Sequence, residues 1–212
     1  MSRCSVSEKR TTTSYAVLGL LTVQSWTTYE LAKQVQRSLN WFWPRAERKL
    51  YDEPKRLVEQ GLATASKQLT GQRPRTVYTI SAAGRDAMHD WLGHPPAPRT
   101  VEFEGMVKVF FADAGTRTQL LTTLTGIEQE ATQRLTALAQ FATARPLRFP
   151  DRAHLSALGL RLQFEQEDAV RRWAQWAHHQ VTQWTSTTNA GAWDTEAFLA
   201  ELSTRAHPTS TT

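Results

Sequence analysis

The chain contains a single cysteine, Cys4, among 212 residues. One thiol cannot close an internal disulfide, and it removes most cysteine-based metal sites. No apolar run approaches the length of about 18 residues that a membrane helix needs. The opening residues, from Met1 to Arg10, lack an apolar core of signal-peptide length. A cytoplasmic protein is the expectation. Also missing are a His-Glu-x-x-His pair, a phosphate-binding glycine loop, a Gly-x-Ser-x-Gly elbow and carboxylates paired at helical spacing. His178 and His179 are adjacent, so on a helix they diverge by about 100° and cannot share one metal. No enzymatic activity, cofactor or metal is expected.

What is present is basic charge, unevenly placed. Residues 1–100 carry 15 Lys and Arg against 8 Asp and Glu, whereas residues 101–212 carry 10 against 12. A basic first half joined to a slightly acidic second half points to a polyanionic partner for the first half only. Charge alone fits DNA, RNA or an anionic membrane equally.

Hydrophobic periodicity divides the chain further. Residues 1–13 read as a flexible polar arm. Ser14–Gln24 reads as a core helix through Val17, Leu18, Leu20 and Leu21. Thr27 and Glu30 have capping-box spacing, and Leu31, Val35 and Leu39 mark one face of a second helix ending near Asn40. Trp41, Phe42 and Trp43 form a turn, and Pro44 suits the first turn of a third helix. With Leu50 and Leu57 inward, Arg45, Arg48, Lys55 and Arg56 fall mostly outward. Pro54 lacks the N–H for the carbonyl of Leu50, so a kink or restart is expected there. Gly61 supplies a left-handed cap.

The period then shifts from 3.6 toward 2. Ala63–Leu69 and Arg75–Ser81 read as two strands of a hairpin whose tip carries Lys67, Arg73 and Arg75. Ser81 caps a fourth helix with Ala87, Met88, Trp91 and Leu92 on its apolar side. Residues 93–100, rich in proline, form a stiff linker between a domain at 1–92 and a helical domain at 101–205. In the latter, Val101–Ala112 places Phe103, Val107, Phe110 and Phe111 on one side. Thr116 and Gln119 suggest another capping box, heading a near-heptad stripe from Leu120 to Ala142. A long helix from His154 to Trp184 carries two apolar stripes, one through Leu155, Leu158, Leu162, Ala169, Trp173 and Trp176, the other ending at Val181 and Trp184. One stripe packs within the chain; the second calls for a second copy. Asp194 caps a last short helix with Phe198, Leu199 and Leu202, before a disordered tail at 206–212.

Three helices, a hairpin and a fourth helix make the layout of a winged helix-turn-helix, here followed by an all-α antiparallel dimerisation domain. An Arg-bearing helix suits the major groove, and a thin basic hairpin suits phosphates or a narrow minor groove. Four blocks make the likeness specific: Ser14-Tyr-Ala-Val-Leu-Gly-Leu-Leu, Thr28-Tyr-Glu-Leu-Ala-Lys, Leu50-Tyr-Asp-Glu-Pro-Lys-Arg-Leu-Val-Glu-Gln-Gly-Leu, and Gly71-Gln-Arg-Pro-Arg-Thr-Val-Tyr-Thr-Ile-Ser-Ala-Ala-Gly-Arg. In this order, over residues 14–92, they resemble the PadR family of bacterial transcriptional regulators. Thr28 stands where the family commonly has glycine, which stiffens the entry to the second helix. The resemblance implies a homodimer, usually a repressor, on a roughly two-fold symmetric DNA operator. It also implies release by a small aromatic or amphipathic effector bound in the C-terminal region.

The candidate DNA-contacting set is Tyr29, Arg45, Arg48, Lys49, Tyr51, Lys55, Arg56, Lys67, Arg73 and Arg75. The candidate effector set is Phe103, Phe110, Phe111, Trp173, Trp176 and Trp184, aromatics whose ordinary use at helical spacing is core or interface packing. The competing reading of the N-terminal domain is a winged helix serving as a protein-interaction module. Such modules lose the basic recognition face, and this sequence keeps it.

Overall fold

The computed structural model describes residues 10–39, 47–70, 73–144 and 148–206; the side chains of Glu47, Arg48, Lys49, Thr70 and Arg73 lie outside that description. The chain folds as two compact units, Met1–Arg99 and Thr100–Thr212.

In the first unit, α1 (Thr12–Val23) starts earlier than periodicity suggests. The Thr11 hydroxyl accepts from the Ser14 N–H, and the Ser14 hydroxyl accepts from the Thr11 N–H, a reciprocal box that fixes the helix start inside the expected flexible arm. Val17, Leu18 and Leu21 of α1 are buried. Helix α2 (Thr28–Ser38) begins at the expected box. The Thr27 hydroxyl accepts from Glu30 N–H at 3.3 Å, and the Glu30 carboxylate accepts from Thr27 N–H at 2.9 Å.

Helix α3 (Glu47–Glu59) is one continuous element through Pro54, so no restart occurs there. Pro54 is among the most deeply buried residues, on the same face as Leu50, Glu53 and Leu57. Packing of its ring in the core offsets the backbone bond it cannot make. The helix ends as a Schellman motif: Leu62 N–H donates to the Leu57 carbonyl, Gly61 N–H to that of Val58, and Gly61 adopts φ 72°.

The wing is larger than a two-stranded hairpin. Strands β2 (Ala63–Thr70) and β3 (Arg73–Ile80) pair antiparallel, and a short β1 (Trp26–Thr27) joins the other side of β3, giving the order β1-β3-β2. Two residues are too few to show a period, which is why sequence reading passes over β1. Helix α4 (Ala82–Leu92) is capped by the Ser81 hydroxyl, which accepts from Gly84 N–H at 3.0 Å. Trp91 stacks on Tyr15 at 4.7 Å, whereas Leu92 stays exposed.

The second unit is helical. Helix α5 (Glu104–Phe110) is shorter than expected: Phe103 is its N-cap residue, and a 3-10 turn follows at Ala112–Ala114. Helix α6 (Arg117–Thr143) starts at the predicted box of Thr116 and Gln119, and its 27 residues span about 40 Å. Helix α7 (Ala153–Thr182) runs back along it, since Arg117, Glu128 and Arg134 meet Trp184, Gln175 and Glu167 in reverse order. Leu120, Leu124, Ala177 and Val181 form the shared core. Helix α8 (Thr195–Ala206) begins where the Asp194 carboxylate accepts from Ala197 N–H at 2.9 Å.

One close approach locks wing to helix. A Cβ at Gly84 would lie 2.0 Å from the Leu62 carbonyl oxygen and 2.8 Å from Ile80 Cγ1. Because that oxygen is backbone and accepts from Ser81 N–H, α4 must shift to admit a methyl. Gly84→Ala is expected to destabilise the first unit by about 1–3 kcal/mol. Thermal melting of the full chain checks this, and an unchanged first transition contradicts it.

Candidate nucleic-acid interface

Burial of Leu50, Glu53, Pro54 and Leu57 sets the opposite face of α3 outward. Tyr51, Asp52, Lys55 and Glu59 are exposed there, and Arg56 is half-exposed. Arg56 is drawn toward Glu53, with 3.6 Å between guanidinium and carboxylate, which sets a preferred direction for this cation. Asp52 and Glu59 interrupt the positive charge along the helix. Arg48 and Lys49 lie in its first turn, with side chains outside the described ones, and Arg45 lies outside the described residues altogether.

On α2, Tyr29 is exposed, and Lys33 holds its ammonium 5.8 Å from the centre of the Tyr29 ring. Sequence reasoning missed Lys33. Its signal was the i+4 spacing from Tyr29, which puts both on one helix face.

The register separates the basic residues of the wing. Lys67 pairs with Thr76, Gln68 with Arg75, and Thr70 with Arg73. Directly opposed residues share a face, and successive ones alternate. Arg75 therefore occupies one face of the hairpin, and Lys67 the other. The Lys67 face leads to buried Tyr78 and Ile80 at the wing root and carries exposed Leu69 near the tip.

The candidate effector aromatics do not form one group. Phe110 and Phe111 are exposed and touch each other edge to face at 5.0 Å. Trp173 and Trp184 pack partly buried on the shared core of α6 and α7. Trp176 meets two aromatics absent from the predicted set, Trp193 at 5.9 Å and Phe198 at 5.3 Å, and Trp193 also meets Trp184 at 6.2 Å.

A helix-turn-helix, a basic strand pair and a capped closing helix define a winged-helix DNA-binding unit. Residues 17–90 match the description of the PadR-like family of transcriptional regulators. Residues 104–182 match a second description, the C-terminal part of virulence activator alpha. The chain is 29% identical over 160 residues to the negative transcriptional regulator PadR of Bacillus subtilis, covering 71% of this chain and 88% of that one. A crystal structure of the Bacillus subtilis PadR in complex with operator DNA is similar at TM-score 0.71 and 26% identity, covering 81% of this chain and 99% of that one. A crystal structure of the same protein with p-coumaric acid is similar at TM-score 0.64 and 27% identity, covering 80% and 98%.

Opposite faces of the wing are expected to titrate differently against DNA. Arg75→Ala should weaken binding to every duplex alike and flatten the log–log salt dependence by about 0.9. Lys67→Ala should do so less. Anisotropy titrations at several salt concentrations check the contrast, and equal effects of the two substitutions contradict it.

Proposed function

We propose that the protein is a homodimeric repressor that binds a two-fold symmetric operator and leaves it when a small aromatic or amphipathic ligand occupies its helical unit. The observation that carries this reading is the similarity to a relative solved on operator DNA, combined with exposed cations on α2, α3 and the wing. Arg45 and Arg48 read base edges, where bidentate Arg–guanine pairing supplies discrimination. Tyr29, Lys33, Lys49, Tyr51, Lys55 and Arg56 line the helix-turn-helix side, and Arg73 and Arg75 follow the backbone from the wing. The repressor sign and the ligand follow two descriptions of one relative, the Bacillus subtilis PadR, as a negative regulator and in a complex with p-coumaric acid.

Dimerisation rests on α7. Its Ala174, Ala177 and Val181 are buried in the chain's own core, while Leu155, Leu158 and Leu162 are 50%, 71% and 52% exposed. Three leucines at spacings of three and four make an apolar stripe whose natural cover is its own symmetry mate. Two winged helices then face successive major grooves, about 34 Å apart or a multiple of it. A ligand releases the operator to the extent that it prefers the DNA-incompetent dimer; equal affinity for both forms shifts nothing.

Sedimentation tests the dimer. The full chain is expected to be dimeric at micromolar concentration, and Leu158→Glu/Leu162→Glu to be monomeric with unchanged helix content. Operator affinity should then fall about a hundredfold, as two linked half-sites become two separate ones. A monomeric wild type, or a monomeric variant with full affinity, rejects the proposal. Separately, Arg45→Ala or Arg48→Ala should cost about 1–3 kcal/mol on operator and relax preference at the affected base pairs. A uniform loss on unrelated duplexes assigns these residues to the backbone instead.

A further inference from the structure

The second matched segment ends at residue 182, so α8 lies wholly beyond it. None of the described residues of α8 is buried, and Leu199 and Leu202 are exposed. Its polar contacts are local: the Asp194 cap, the Thr204 hydroxyl donating to the Ala200 carbonyl, and Arg205 facing Glu201 at 3.4 Å. What ties it to α7 is an aromatic clasp. The Phe198 ring lies on Trp176 at 5.3 Å with only 18° between the planes, and Trp193 closes on both. Phe198 is the residue of this 12-residue helix whose ring stacks on α7.

Beside the stack runs a cleft of about 760 Å³ bordered by α7 and α8, a size suited to a small organic molecule. Two guanidiniums, Arg172 and Arg205, and two carboxylates, Asp194 and Glu201, line it. These charges are balanced and engaged: Arg172 with Asp168, Arg205 with Glu201, and Asp194 with a backbone N–H. Net charge therefore does not select the ligand. The selecting feature is flat aromatic area, already shown to accept a parallel ring.

We propose that the Trp176 face is a binding site for a planar aromatic ligand of one or two fused rings, and that Phe198 is its resident competitor. The incoming ring takes the stacking position, Phe198 leaves, and α8 detaches from α7. This places the ligand invoked under the proposed function and gives α8 the role of a displaceable strap.

The probe is indole, neutral and two rings wide, titrated by calorimetry into the full chain without DNA. Phe198→Ala and Phe198→Leu, which both remove the flat resident ring, are expected to bind indole at least tenfold more tightly than wild type. Adding Trp176→Ala should abolish that gain. In the wild type, saturating indole should speed amide hydrogen exchange across residues 195–206. Equal or weaker binding by both Phe198 variants overturns the proposal, as does slower exchange in α8, which would mean that the strap clamps the ligand. Operator release is measured separately. Tighter binding without release upholds the site and removes the effector role. Release by indole with no effect of the Phe198 variants removes this site alone.

Discussion

Trp26 is the residue on which the geometry of the DNA-binding unit depends. Its side chain is 1% exposed, and its indole N–H donates to the Leu20 carbonyl in the last turn of α1 at 2.8 Å. Its backbone pairs with Tyr78 at the wing root, and the next residue, Thr27, is the N-cap of α2. The neighbouring Ser25 hydroxyl meets that of Thr79 on the same strand at 2.6 Å. Three consecutive residues thus join the end of one helix, the start of the next and the strand that carries Arg75. In a winged helix the wing and the helix-turn-helix must meet DNA together, so their mutual placement must be rigid. A buried indole with a satisfied N–H supplies that rigidity at small entropic cost.

The same unit shows where charge can and cannot act. On α3 the inward stripe includes an acid, Glu53, and the outward face alternates cations with Asp52 and Glu59. A helix so marked is not a uniform positive rod, and it meets a polyanion over a limited length. The wing sorts its cations by strand parity, with Arg75 on one face and Lys67 on the other. Register, more than charge count, decides which of them can approach one DNA backbone.

Much of this was legible in the residues. The Thr27–Glu30 and Thr116–Gln119 boxes, the Ser81 and Asp194 caps and the Gly61 turn all stand where local chemistry places them. Such signals are short-range, and the structure satisfies them with the expected partners. Features set by tertiary contact were not legible. Strand β1 exists because β3 offers it a free edge, and Pro54 sits inside a helix because the core accommodates its ring. In the helical unit, periodicity named the tryptophans of α7 but not their neighbours. Trp193 stands in an irregular segment and Phe198 on a different helix, so no single-helix pattern could unite them with Trp176.

Transcriptional regulation by this chain comes down to preference for one DNA sequence over others. The most direct measurement is competition binding of the full chain to duplexes tiled across the DNA flanking its own gene, at fixed salt, against shuffled duplexes of equal composition. Specific PadR-type readout predicts one duplex bound about a thousandfold or more above the shuffled set, with a protected region of two symmetric halves spaced by whole helical turns. Equal affinity for tiled and shuffled duplexes would contradict the account.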